Sequence, residues 1–177
     1  DAIVGIYNAP APVENHALRA CVASQLLRQR LAELRKKWIS EGDKWPSIVG
    51  KMRMRMGMNT GFATVGNMGS SRRFNYTMMG DTVNLAARCE SGAKSYGVYT
   101  MVTGETRKAA EAAGDDCVFR FLDKIIVKGR SEPAEMHEIV CLRSDINDES
   151  KECIKIYDEG TAHYLAQEWD RAIAAFE

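Results

Sequence analysis

Hydrophobic and polar positions change period several times along the chain, and each change predicts an element. Leu18, Cys21, Val22, Leu27, Leu31, Leu34 and Trp38 recur every three or four residues with Arg and Lys between them, which predicts a helix over 14–38. Lys51 to Met58 instead alternates strictly, Met with Lys, Arg or Gly, and predicts a strand with a buried methionine face and Arg53 and Arg55 on the other side. Asn59-Thr60-Gly61 then reads as a turn, Phe62 to Val65 as the returning strand of a hairpin, and Gly66 to Ser71 as a loop. Further on, the pattern predicts a strand at 74–79, a helix at 81–95, a strand at 98–102 and a helix at 104–113. Two strands, 118–127 and 134–141, follow, joined by the polar stretch 128–133. Residues 1–7 read as a short strand stopped by Pro10 and Pro12. Strands alternating with helices and hairpins predict an α/β (α+β) domain, a mixed sheet with helices packed on it.

Beyond Leu142 the character changes. Residues 143–151 are polar and read as a linker, and 152–177 as two helices turning at Gln167-Glu168. Gly160, Ala172 and Phe176 stand at the small, small and aromatic positions by which paired helices of a tetratricopeptide repeat nest. The expected organisation is therefore a domain over 1–142, the linker, and a helical hairpin that begins a possible repeat array with a protein partner of its own.

Composition narrows the function classes. The chain has 177 residues, 45% hydrophobic and 27% charged, as a packed globular protein does. Lys+Arg and Asp+Glu are both 24, so no basic excess points to nucleic acid. No apolar run approaches the roughly 20 residues of a membrane span. Cys21, Cys89, Cys117, Cys141 and Cys153 are odd in number and never paired as C-x-x-C, which suits reduced thiols in the cytoplasm rather than disulfides or zinc. Asp1 to Tyr7 reads as a strand already under way, so the sequence is expected to be a piece of a longer protein.

The stretch Phe74 to Arg88 carries the chemistry. Asp81 stands where a helix N-cap belongs, with Gly80 allowing the sharp entry. Asn84 and Arg88, one turn apart, share a face with Ser91 and Ser95. An amide and a guanidinium so placed suit a sugar oxygen and a phosphate acquiring charge. On spacing alone, the same face also reads as a solvated polar surface.

The wording of the stretch decides between the two. Gly80-Asp81-Thr82-Val83-Asn84-Leu85-Ala86-Ala87-Arg88 resembles the signature of the class III nucleotidyl cyclases, the adenylyl and guanylyl cyclases. Matching blocks stand in order at Asp1 to Ile3, Asn15 to Ala20, Met56 to Gly61, Val65 to Gly69 and Val127 to Gly129. The resemblance spans about 1–141 and implies a ferredoxin-like nucleotidyl cyclase core that lacks its first strand and the two helices after it.

It implies conversion of ATP to cyclic AMP and pyrophosphate with two Mg2+ or Mn2+ ions per site. Asp1 resembles one of two metal-holding aspartates, Asn84 a ribose-orienting residue, and Arg88 the residue that stabilises the transferring phosphoryl group. Lys128 resembles a lysine meeting the terminal phosphates, and Thr77 the purine-reading position, where threonine goes with adenylyl cyclases. In the family, metal aspartates come from one subunit and the other residues from its neighbour. The resemblance thus implies a homodimer, or a heterodimer with another cyclase domain, and this chain alone is expected to be inactive. Two alternatives stay open: a guanylyl cyclase, and an inactive cyclase-like module serving dimerisation or scaffolding.

Overall fold

The computed structural model describes residues 2–70, 72–126 and 133–177. A long helix, α1 (His16–Ser40), leads through two 3-10 turns (Gly42–Lys44 and Ser47–Lys51) into strand β1 (Met56–Met58). Then come β2 (Thr64–Ser70), β3 (Arg73–Met79), α2 (Asp81–Gly92), β4 (Thr100–Thr103), α3 (Gly104–Glu111), β5 (Cys117–Ile125) and β6 (Ala134–Leu142). After a 3-10 turn at Arg143–Asp145, helices α4 (Asp148–Leu165) and α5 (Trp169–Phe176) form a hairpin.

The main sheet runs β1-β4-β6-β5. β1 lies parallel to β4, and the other pairings are antiparallel, so the mixed sheet expected from the pattern is present. All four residues of β4 are buried, because helices cover both faces of this inner strand. Met101 points into a cluster with Leu85 and Cys89 of α2, Leu122 and Met136. Its neighbour Val102 points the other way, to Leu18 and Cys21 of α1, Ala110 and Ile139. Burying a side chain the size of Met101 or Ile139 contributes about 1.5–3 kcal/mol, so these clusters fix α1 and α2 against the sheet.

Several expectations need correction. Residues 2–7 pair with no strand among the described residues, and Ile3 and Val4 are exposed. Only Met56–Met58 of the alternating stretch joins a ladder; residues 47–51 coil into a 3-10 turn, and Met52 is exposed. Alternation gives a strand the right faces, but a ladder also needs an opposing edge, and β4 offers one only from Thr100 onward. The predicted 59–61 hairpin does not form. Thr64 to Ser70, partly read as loop, is a strand that pairs antiparallel with β3 from Thr64 opposite Met79 to Ser70 opposite Arg73. α4 starts at Asp148, inside the polar stretch, because Asn147 caps it by accepting from the Ser150 N–H at 2.8 Å.

At the C-terminal hairpin, Gly160 and Ala172 are buried where the helices cross, with the Tyr157 and Phe176 rings 5.8 Å apart. α4 meets the sheet through Tyr157, whose ring lies 4.5 Å beneath the Arg120 guanidinium; Arg120 also pairs with Glu138 at 2.6 Å. All five cysteines are free thiols, and burial pushes Cys21 and Cys89 up to about 12. No helix among the described residues is long and apolar enough to cross a membrane.

Candidate active site

α2 springs directly from β3, and the chain turns between them at Gly80. Gly80 has φ 136° and ψ 167°, a conformation that only glycine adopts without strain. Its carbonyl accepts the Val83 and Asn84 N–H groups at 3.1 and 3.2 Å, which starts the helix. Asp81 is thus the first helical residue and not the cap. Its carboxylate still sits at the positive end of the helix dipole.

Leu85 and Cys89 face the core from α2, so Asn84 and Arg88, one position earlier in each turn, face outward and are exposed. Their Cβ atoms are about 5–6 Å apart by helix geometry. The helix is seated tightly. A Cβ on Gly57 of β1 would overlap the Glu90 nitrogen and the Ala86 oxygen and lie 2.8 Å from the Cys89 carbonyl carbon. Only a hydrogen at position 57 lets α2 approach the strand this closely. Asn59, just beyond β1, donates from Nδ2 to the Thr82 carbonyl at 3.1 Å. Arg55 pairs with Glu90 of α2 at 3.4 Å; both are well exposed, so the pair contributes at most about 1 kcal/mol.

Thr77 is half-buried on β3, opposite Gly66 of β2. Cross-strand partners share a face, and a Cβ at Gly66 would meet nothing within 4 Å, so the space beside the Thr77 side chain is open. The structure therefore sets Thr77, Asn84 and Arg88 on one continuous strand–glycine–helix unit. Asp1 and Lys128 lie outside the described residues. Arg72 and Arg73 are exposed at the end of the β2–β3 ribbon. His137 is buried in β6, packed edge-on against Phe121, and has a packing role.

Around this unit the apolar surface is uncovered. Phe62 is fully exposed, and Phe74, Tyr76 and Met79 are about half-exposed or more. Asn84 and Arg88 line neither the 370 Å³ cleft beside α1 nor the one near Tyr7. Among the described residues, Asn84 and Arg88 are presented on the surface of α2. Among the described residues, no three His, Cys, Asp or Glu side chains converge as metal ligands.

Sequence reasoning missed Asn59 as a fastener of α2: its one signal is an amide immediately after a strand, and its partners Thr82 and Thr103 are distant in sequence.

Known proteins with a similar sequence and fold point to one family. The chain is 34% identical over 148 residues to Adenylate cyclase 1 of Rhizobium meliloti, covering 83% of this chain and 21% of that protein. It is 32% identical over 127 residues to the terminal-differentiation specific adenylate cyclase of Dictyostelium discoideum, covering 69% of this chain and 6% of that protein. The chain thus spans about a fifth or less of these curated relatives. The crystal structure of the adenylyl cyclase CyaB from P. aeruginosa superposes with a TM-score of 0.64 at 29% identity, covering 83% of this chain and 74% of that one. Residues 11–141 match the family model described as the adenylate and guanylate cyclase catalytic domain, and the chain belongs to that family.

Proposed function

We propose that this chain carries the catalytic domain of an adenylyl cyclase, which converts ATP to 3′,5′-cyclic AMP and pyrophosphate at a site shared between two subunits. The observation that carries this reading is the outward-facing Asn84 and Arg88 pair on a helix clamped to the sheet by Gly57 and launched from the strand of Thr77.

In this reading the ribose 3′ oxygen attacks the α-phosphorus, the bond to the bridging oxygen of the β-phosphate breaks, and pyrophosphate leaves. Asn84 holds the ribose so that the attacking oxygen stays in line. Arg88 meets the charge that accumulates on the α-phosphoryl oxygens, the main source of rate in phosphoryl transfer. The Thr77 hydroxyl accepts from the adenine amino group or donates to a ring nitrogen. Lys128 meets the terminal phosphates. Divalent cations, Mg2+ or Mn2+ and two per site with Asp1 among their ligands, supply positive charge to the phosphates when bound.

The uncovered Phe62, Phe74, Tyr76 and Met79 support dimerisation, because they give a second subunit an apolar surface to cover. The partner is a second copy or another cyclase domain. A cytoplasmic location belongs to the same reading. The nesting of Gly160 with Phe176 supports α4 and α5 as the first pair of a protein-binding helical repeat.

The test is an assay of cyclic AMP and cyclic GMP made by the full-length protein with manganese. Wild type makes cyclic AMP, Arg88→Ala abolishes it, and Thr77→Cys shifts preference toward GTP. Full activity in Arg88→Ala overturns the mechanism, and a wild-type preference for GTP overturns the substrate.

A further inference from the structure

Asn59 lies in the turn after β1, half-buried, and its amide is used at both ends. Nδ2 donates to the Thr82 carbonyl in the first turn of α2 at 3.1 Å. Oδ1 accepts the Thr103 hydroxyl at 2.7 Å. The orientation of the amide is fixed by chemistry, because a backbone carbonyl can only accept and the nitrogen must therefore face Thr82. Thr103 is fully buried at the end of β4 and caps α3, its oxygen accepting the Thr106 N–H at 3.4 Å. One amide therefore ties the start of the site helix to the junction between the central strand and α3, two residues before Asn84.

We infer that Asn59 is a positioning residue for the cyclase reaction: it fixes the first turn of α2, and through it the placement of Asn84 and Arg88. This role presupposes the cyclase reading above. Gly57 and Asn59 hold the helix in complementary ways. The glycine lets α2 approach β1, and the amide sets its position along its own axis. A carbonyl inside a helix already accepts one N–H from the next turn, so the bond from Asn59 is an additional one, and the helix forms without it. What is lost without it is registration. Displacements of about 1 Å at a reacting centre cost on the order of a hundredfold in rate.

Three variants test this in the full-length protein. Asn59→Asp keeps an acceptor for Thr103 and replaces the donor by a carboxylate oxygen that the Thr82 carbonyl repels. It is expected to lower kcat tenfold or more while KM for ATP moves less than threefold, because Asn84 and Arg88 act on the transition state. Thr103→Val, which removes the hydroxyl that orients the amide, is expected to lower kcat in the same way. Thr103→Ser, which keeps the hydroxyl, is expected to stay within twofold of wild type. Should Asn59→Asp fail to fold, the Thr103 pair decides. Wild-type kcat in a folded Asn59→Asp protein, equal loss in Thr103→Ser and Thr103→Val, or a rise in KM with kcat unchanged would each overturn the role. The cyclase reading is judged separately, since it fails only if wild type makes no cyclic AMP or Arg88→Ala retains full activity.

Discussion

Replacing Gly57 by alanine tests whether the seating of α2 matters for catalysis. The added Cβ would lie 2.8 Å from the Cys89 carbonyl carbon and nearer still to the Glu90 nitrogen and the Ala86 oxygen. Carbon–carbon contact is comfortable at about 3.5–4.0 Å. Relief of the Cys89 contact alone therefore requires α2 to withdraw by about 0.7–1.2 Å, and the two closer atoms require more. All three are backbone atoms, so no rotamer change relieves the overlap. Overpacking of this kind costs about 1–3 kcal/mol, which lowers Tm by several degrees at about 2–4 °C per kcal/mol for a chain of this size. A withdrawal of about 1 Å also moves Asn84 and Arg88 with the helix, and a hundredfold fall in kcat is expected. The assays are thermal unfolding and initial-rate cyclic AMP formation on the same preparation. A Gly57→Ala protein with wild-type kcat and Tm would refute the proposed seating of the helix.

Two further perturbations probe other parts of the structure. His137 is buried with neither ring nitrogen hydrogen-bonded, and burial, aided by Arg107 of α3, pushes it down to about 4; Glu135 at 3.7 Å on its own strand and Glu111 of α3 oppose the fall. Its folded value lies below the unfolded 6.5, so the unfolded chain takes up the proton first, and stability falls as pH drops from 6.5 toward 4 by up to about 3 kcal/mol. Urea unfolding from pH 7.5 to 4.5 checks this, with His137→Gln losing that part of the slope; parallel curves for the two proteins would contradict it. Gly160→Ala would place a Cβ 2.6 Å from Cε1 of Phe176. Because the Phe176 ring is half-exposed and can swing aside, a loss of about 1 kcal/mol is expected. Limited proteolysis should cut α5 faster with cyclase activity unchanged, and an unaltered cleavage rate would contradict the nesting.

The helices and the β5–β6 pair were legible because each carries its own evidence in a local period. Leu18, Cys21 and Val22 mark the buried face of α1, and Gly80-Asp81 marks the entry to α2 to within one residue. Pairing was not legible in the same way. Met56 finds its partner at Thr100, far along the chain, and nothing near β1 announces a parallel neighbour. Gly66 and Gly69 read as loop residues, yet Gly66 has open space beside it, Gly69 at φ 147° sits where a Cβ would overlap the Arg73 oxygen, and the ladder to β3 overrides their propensity.

The site divides along the same line. The chemistry proposed for Asn84, Arg88 and Thr77 rests on the order of motifs, whereas their spacing alone also fitted a solvated face. The fasteners were hidden, since Gly57 matters only because Ala86 and Glu90 are beside it, and Asn59 only because Thr82 and Thr103 are. A short glycine or an amide in a turn acquires meaning from what the fold brings to it.

The central claim is that Asn84 and Arg88 of one subunit act on a nucleotide held by the other, and subunit mixing tests it most directly. Asp1→Ala and Arg88→Ala, each expected to be inactive alone, are co-expressed in the full-length protein. Random pairing of a two-fold dimer makes half the dimers mixed, each with one intact site of two, so about a quarter of wild-type cyclic AMP formation should return. Activity in the mixture no greater than the sum of the separate variants would contradict a site shared between subunits.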